Sequence, residues 1–561
     1  MRQLFLIALA SLLFIQCAKE ETKVQGLIAD NAIVVSAREE ASIIGINILK
    51  KGGNAFDAMV ATEFALAVSY QFAGNLGGGG FMVYRTDKGD SGALDFREKA
   101  PLSASRNMYL DSLGNADSDL SQKGTLAIGV PGTVAGLFAT HQKFGSLPMK
   151  ELIQPSIDLA KRGIVVTEKQ DKRLEHYQEL FKEVNGKDIV LSLEYEVGDT
   201  IKFPQLAKTL ERLRDFGKDD FYRGETANIL VHELNKRGGN LTLLDLEKYE
   251  AKWRKPITFQ YKDLEIISMT LPSSGGICLA QILKAIEPYN AKGLEHNSTK
   301  YIQLLTEAER RSYADRAHFL GDIDFVNVPI DSLTDNNYIS QRMASFDWNK
   351  ATKSSDISHG NLTGYESDET THYSIVDTYG NAVSVTTTLN GGFGSKVFID
   401  ELGFFLNNEM DDFSAKLGTP NMFGLVGAEA NSIRPEKRML SSMTPTIVTE
   451  KGNLKMVLGS PGGSTIITSV LQTILNVTEF EMGMQEAVAI PRFHHQWLPD
   501  VIKMEPNGFD EVTIQKLKDL GYEIDISESV VIGKVNAILI LENGQLEGGA
   551  DPRGDETAVG Y

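Results

Sequence analysis

The sequence predicts a layered α/β (α+β) fold built on largely antiparallel sheet. Three observations carry this. Residues 131 to about 320 read mostly as helices, the region after 370 reads mostly as strands, and two strands at 81–85 and 92–96 already precede the helices. Helices and strands segregated in this way stack as layers, whereas alternating units would give a parallel sheet. The late half has few helices to cover its own sheet, so the two halves are expected to share one fold.

The chain opens with Met1-Arg2 and the apolar run Leu4 to Ile15, then Gln16-Cys17. A positive start followed by a short apolar run reads as a secretory signal, too short to span a bilayer permanently. Cys17 directly after that run resembles the modified cysteine of a bacterial lipoprotein signal. Residues 1–17 therefore predict an exported protein, periplasmic or anchored by lipid to a bacterial envelope membrane. Cys278 is the other cysteine, so no internal disulfide is expected despite export.

Residues 54–70 have helical spacing of apolar residues and end at the glycine run GNLGGGG (74–80), which leads into the strands FMVYR (81–85) and GALDF (92–96). Helices are expected at 131–143, 148–162, 204–215, 222–237, 276–288 and 298–319, with Pro131 and Pro155 in first turns or breaks. Residues 350–369 turn polar, as an exposed loop does. Strands follow in THYSIV (371–376), NAVSVTTTL (381–389), TPTIVT (444–449), LKMVLG (454–459) and at 533–541, with helices only at 464–476, 483–489 and 512–520.

Composition is that of a globular protein, 42% apolar and 23% charged, with a formal net charge of −19. An acidic surface repels phosphate backbones, so nucleic acid is not an expected partner. The glycine run does not read as a dinucleotide loop, because its order is helix, turn, strand rather than strand, turn, helix. His494-His495 do not read as a metal pair, since neighbours in a strand point to opposite faces. No cysteine cluster or H-E-x-x-H motif accompanies them, and neither a metal nor an organic cofactor is implied.

The stretch SDETTHYSIVD (367–377) places a hydroxyl, His372 and Asp377 close together. A triad built from one strand and its turn would be unusual, because triad members normally come from different elements. Structural roles are expected for both. GSPGGS (459–464) leaves a strand and enters a helix, and consecutive backbone N–H groups at such a junction suit an anion or an oxyanion.

Read in order, these pieces resemble the γ-glutamyltranspeptidase family of N-terminal-nucleophile hydrolases. The matching stretches are GNLGGGGFMVYR, DFREKAP (95–101), GVPGTVAG (129–136), LPSSGGI (271–277), TTHYSIVD (370–377), TTLN (387–390), NNEMDDFSAK (407–416), LSSMTPTIV (440–448), GSPGGS, PRFHHQWLPD (491–500) and DPRG (551–554). The resemblance runs from about residue 29 to the last residue. It implies a four-layer αββα sandwich, two stacked mainly antiparallel sheets between helix layers. It also implies autocatalytic cleavage between Glu369 and Thr370, giving a heavy chain (18–369) and a light chain (370–561) that form one intertwined unit.

On this resemblance Thr370 is the nucleophile, with its own α-amino group as base once the chain is cut. Such an amine has a reference pKa near ~8, suited to proton transfer at neutral pH. Thr388 matches a threonine that hydrogen-bonds the nucleophile, and Gly462 and Gly463 match the oxyanion donors. A γ-glutamyl group carries a free α-carboxylate and α-ammonium. Arg97, Ser441 and Ser442 match the groups that hold the first, and Asn390, Glu409 and Asp412 those that hold the second. Without the resemblance, Arg97 would read as a surface ion pair with Asp95 or Glu98.

Two departures stand out. LGTPNMFG (417–424) resembles the family's lid, with Phe423 where a tyrosine is common, which removes a possible hydroxyl bond to Asn390. Gly391-Gly392 are expected to loosen the acceptor side. The implied activity is γ-glutamyl transfer and glutathione hydrolysis, with water, amino acids or peptides as acceptors. A poly-γ-glutamate depolymerase or transpeptidase with the same residues is the enzymatic alternative. A non-catalytic exported glutamate-binding protein is the other, and it would remain uncut.

Overall fold

The structure, a computed structural model, describes residues 24–358, 370–527 and 531–561. The leader with Cys17, and Glu369 with the rest of 359–369, lie outside them.

Two seven-stranded sheets form the centre. The first runs Thr557–Gly560, Ile33–Ser36, Thr371–Val376, Ala382–Thr388, Gly79–Arg85, Ser91–Asp95, Lys252–Arg254, antiparallel at every step. The second runs Leu27–Ala29, Leu546–Ala550, Asn536–Ile540, Asn453–Gly459, Thr446–Glu450, Leu264–Ser268, Ile257–Tyr261, also antiparallel throughout.

Strand alternation builds the layers. In Gly79–Arg85, Phe81 and Val83 face the second sheet, joining Ile267, Ile447, Val457 and Ile538 in the core between the sheets. Met82 and Tyr84 face the other way, into a core shared with helices Glu39–Lys50, Ala55–Ser69, Thr133–Phe144 and Met149–Arg162. The outer face of the second sheet is covered by Gly275–Ile286, Thr299–Phe319 and Thr465–Thr478. The order is helix, sheet, sheet, helix: the expected four-layer αββα sandwich. Each sheet takes strands from both sides of residue 370.

Several elements depart from expectation. The region expected to be mostly helical also contains Lys252–Arg254, Ile257–Tyr261 and Leu264–Ser268. Ile33–Ser36 is a central strand buried on both faces, so its sequence has no two-residue alternation to read. Leu546–Ala550 contains Gly548 and Gly549, poor strand formers, but a Cβ at Gly549 would lie 2.7 Å from Met484 Cγ. Glu168–Asn185 is a helix that buries little beyond Leu174 and Phe181, and Glu39–Lys50 was also not expected. The segment expected as one helix at 222–237 is two, Lys218–Tyr222 and Glu225–Lys236, with Gly224 between them. Pro131 precedes its helix, whereas Pro155 sits inside Met149–Arg162.

His372 ties the sheets together near the site. Its ring fills the space where a Cβ of Gly459 would stand, so this strand end of the second sheet can approach only as glycine. Asn536 Nδ2 donates to the His372 carbonyl at 2.9 Å. These contacts bring the turn after Gly459 up to Thr370.

Candidate active site

Thr370 immediately precedes the central strand Thr371–Val376 and is buried. Its hydroxyl oxygen accepts from the Gly462 N–H at 2.9 Å. Gly462 has φ 133° and Gly463 φ 51°, both favouring glycine, and the turn ends where helix Thr465–Thr478 begins. Local backbone conformation thus aims an amide at the hydroxyl, with the positive end of a buried helix behind it.

Thr370, Thr388, Asn390, Glu409, Asp412, Ser441, Ser442, Gly463 and Arg97 line one cavity, with Arg316 and Phe423. Gly462 adjoins it through its bond to Thr370. The structure therefore brings together the described residues that the resemblance named as nucleophile, oxyanion donors and glutamyl-binding groups. Thr388 Oγ1 accepts from the Asn390 N–H at 2.7 Å rather than bonding Thr370. Asn390, at φ 73°, donates from Nδ2 to the Asn408 carbonyl at 3.0 Å.

Arg97 is no surface residue: it is 1% exposed. Its guanidinium bonds Glu409 from Nη1 and Asp412 from Nη2, with Glu98 3.9 Å away. Both Glu98 oxygens and Glu409 Oε2 are buried without a hydrogen-bond partner. Burial raises Glu98 to about 8 against the pull of Arg97. Burial likewise raises Glu409 and Asp412, with the Arg97 charge again opposing. Arg97 itself is lifted above its ordinary value: burial lowers it, and the charges of Glu409, Asp412 and Glu98 outweigh that. One guanidinium among three buried carboxyls suits a zwitterion, whose carboxylate would draw on Arg97 and whose ammonium would draw on the acids.

The two serines present hydroxyls to the same cavity. Ser441 Oγ accepts from the Met443 N–H at 3.1 Å, and Ser442 Oγ accepts from Arg316 Nη2 at 3.1 Å. Arg316 was missed from sequence. It stands near the end of Thr299–Phe319, a helix buried from Tyr301 to Arg316 despite many charged residues, and that burial leaves no mark in the sequence.

Phe423 lies over Gly463, in the space a Cβ there would need. Where a tyrosine might have reached Asn390, the Met422 sulfur stands 3.6 Å from Asn390 Nδ2. The Gly391 N–H donates to Asn408 Oδ1 at 2.8 Å.

The other motifs take structural places. His372 hydrogen-bonds Thr386 Oγ1 at 2.9 Å and Ser374 Oγ at 3.1 Å. Asp377 accepts from the N–H groups of Ala55, Tyr379 and Asn381. His494 bonds Thr468 and Gln496 while His495 bonds Asp500. Among the described residues, no group of three His, Cys, Asp or Glu side chains could hold a metal ion. The glycine run packs backbone against backbone, as a Cβ at Gly78 would strike the Thr388 carbonyl.

Two facing sheets between helix layers, with a threonine at the head of a central strand, define the class of N-terminal-nucleophile hydrolases. Within it, the chain belongs to the gamma-glutamyltranspeptidase family, whose profile matches residues 41–561. The glutathione hydrolase proenzyme of Escherichia coli (strain K12) is 44% identical over 538 residues, covering 95% of this chain and 92% of that one. A solved chain of Helicobacter pylori gamma-glutamyltranspeptidase is 42% identical with a TM-score of 0.56, covering 58% of this chain and 94% of its own. Cephalosporin acylase from Bacillus halodurans shares the fold, with a TM-score of 0.84 at 24% identity over 97% of this chain and 98% of that one.

Proposed function

We propose that this protein is an exported γ-glutamyltransferase and glutathione hydrolase that matures by cutting itself before Thr370. The observation that carries the reading is the Thr370 hydroxyl, 2.9 Å from the Gly462 amide and facing the Arg97, Glu409 and Asp412 cluster. In the intact chain the Thr370 nitrogen is a peptide nitrogen and cannot serve as a base. Attack of the hydroxyl on the Glu369 carbonyl moves that acyl group from nitrogen to oxygen. Water then cleaves the ester, leaving a carboxylate on the chain that ends at Glu369 and a free amine on 370–561.

That amine accepts the Thr370 proton as Oγ1 attacks the γ-carbonyl of a γ-glutamyl amide, then passes it to the departing amine. In the reaction the Gly462 and Gly463 N–H groups would turn to the developing oxyanion, each such donor typically contributing about 3–4 kcal/mol. The γ-glutamyl-threonine ester passes its acyl group to water or an acceptor amine. Arg97, Ser441 and Ser442 hold the α-carboxylate; Asn390, Glu409 and Asp412 hold the α-ammonium. Selectivity for γ-glutamyl groups follows, since a donor lacking the ammonium would leave buried acids unmatched.

Phe423 lies over Gly463 at the wall of this cavity. The 417–427 segment, which carries Phe423, would act as a lid over a bound γ-glutamyl group. Residues 1–17 would direct export, with lipidation at Cys17. Among the described residues no helix is long and apolar enough to cross a membrane.

Mass spectrometry of the purified protein tests maturation, and release of glutamate from glutathione tests the activity. Expected are a chain beginning at Thr370 and one ending at Glu369, the latter beginning at a lipid-modified Cys17 when isolated from membranes. Thr370→Ala should remain a single inactive chain. Efficient cleavage or turnover in that variant overturns the mechanism.

A further inference from the structure

Arg97 and Arg316 line the same cavity but stand in opposite electrostatic situations. Arg97 is surrounded by carboxylates. Arg316, 4% exposed, forms no ion pair among the described residues; its Nε donates to Ser274 Oγ at 2.9 Å and its Nη2 to Ser442 Oγ at 3.1 Å. Burial lowers Arg316 below the ordinary arginine value, with the more distant charge of Asp412 opposing. A buried cation without a partnered anion is costly, and an arriving anion relieves that cost.

The hydroxyl geometry makes the arrangement directional. A serine hydroxyl has one proton to give and lone pairs to accept with. Arg316 can only donate, so its bond occupies the acceptor side of Ser442, and the Ser442 proton must point elsewhere. The Met443 N–H does the same for Ser441. Both protons are thereby left for an acceptor in the cavity. Ser274 fixes the frame: its N–H and Oγ both donate to the Ser441 carbonyl, at 2.8 and 2.7 Å, while its Oγ accepts from Arg316.

We propose that Arg316 is a positioning residue for the substrate's α-carboxylate: it orients the Ser442 hydroxyl as a donor and adds a second positive charge at that end of the site. The proposal rests on the γ-glutamyl reading above and extends it. It separates two duties otherwise given to Arg97. Arg97 is shared between the carboxylate and the acids that hold the ammonium, whereas Arg316 serves the carboxylate alone.

The test uses matured enzyme, γ-L-glutamyl-p-nitroanilide as donor, and L-glutamine and 4-aminobutanamide as competing ligands that differ only in the α-carboxylate. Wild-type turnover of the anilide tests the γ-glutamyl reading by itself. For Arg316→Met, KM for the anilide and the inhibition constant of L-glutamine should rise 10-fold or more. The kcat should change less than 3-fold, and the inhibition constant of 4-aminobutanamide less than 2-fold. Arg316→Lys should recover part of the loss. Ser442→Ala should show the same selectivity, and the double variant should be no worse than about 2-fold beyond the weaker single variant. Equal weakening of both ligands, or fully multiplicative losses in the double variant, overturns the proposal. If Arg316→Met fails to mature, Arg316→Lys and Ser442→Ala are judged by the same ligand selectivity.

Discussion

His372, two residues from the proposed nucleophile, shows what burial does to a titratable side chain. Its ring is fully enclosed, hydrogen-bonded to two hydroxyls, and pushed down to about 3 from an ordinary 6.5 by burial. The unfolded chain therefore takes up this proton first as the pH falls. The stability contribution of the neutral ring is fully present above about 6.5 and is lost progressively between 6.5 and 3, by about 1.4 kcal/mol per pH unit. Thermal melts of wild type and His372→Gln between pH 7 and 4.5 should show a shallower decline in the variant. Parallel declines would exclude this account. The sequence pointed to a structural role for His372, because triad members normally come from different elements, and in the structure its ring bonds Thr386 and Ser374. It left Arg97 open between a surface ion pair and a buried site, because Glu409 and Asp412 lie more than three hundred residues away and only folding brings them to it.

At the scale of elements, the 417–427 segment is held by Asn421. Its Nδ2 donates to Asp412 Oδ1 at 2.8 Å, and its Oδ1 accepts from the Phe423 and Leu425 N–H groups at 3.0 and 3.1 Å. One side chain thus links the proposed lid to a proposed ammonium-binding acid. Asn421→Ala should raise KM for a γ-glutamyl donor by roughly 10-fold or more, as expected for losing a bond to a buried charge, with a smaller change in kcat. Steady-state kinetics decides it; an unchanged KM would show that the latch contributes nothing. The helix Thr299–Phe319 teaches a different lesson. It carries many charged residues yet is buried: Arg310 pairs with Asp500, Arg311 with Glu307, and Arg316 donates to serines. Those partners, mostly on other elements, are what let a polar helix be buried.

At the scale of the whole molecule, the boundary at residue 370 cuts through the middle of a sheet. Thr371–Val376 is hydrogen-bonded to Ile33–Ser36 on one side and to Ala382–Thr388 on the other, and Thr557–Gly560 closes the far side of Ile33–Ser36. The two proposed chains should therefore remain together after cleavage. They should co-elute on gel filtration in 1 M salt and unfold in one calorimetric transition. Separation of the light chain without denaturant would contradict this. Charge screening should matter little, because the shared surface is mostly sheet hydrogen bonds and the apolar layer between the sheets, and ion pairs across it such as Arg97–Glu409 are buried.

The sequence by itself determined the layered α/β class, the strand that begins beside Thr370 and the glycine turn that meets it. These are local: alternation, helical period and glycine's freedom at positive φ are written in neighbouring residues. Through ordered motifs it also reached the family and the candidate site residues. The tertiary structure alone decided which strands complete the sheets, that Arg97 lies among three acids, that Phe423 lies over Gly463, and that Arg316 stands behind Ser442. Each of these depends on burial and on partners distant in sequence. A short strand hidden on both faces has no pattern to read, and a buried charge reveals its purpose only beside its partner.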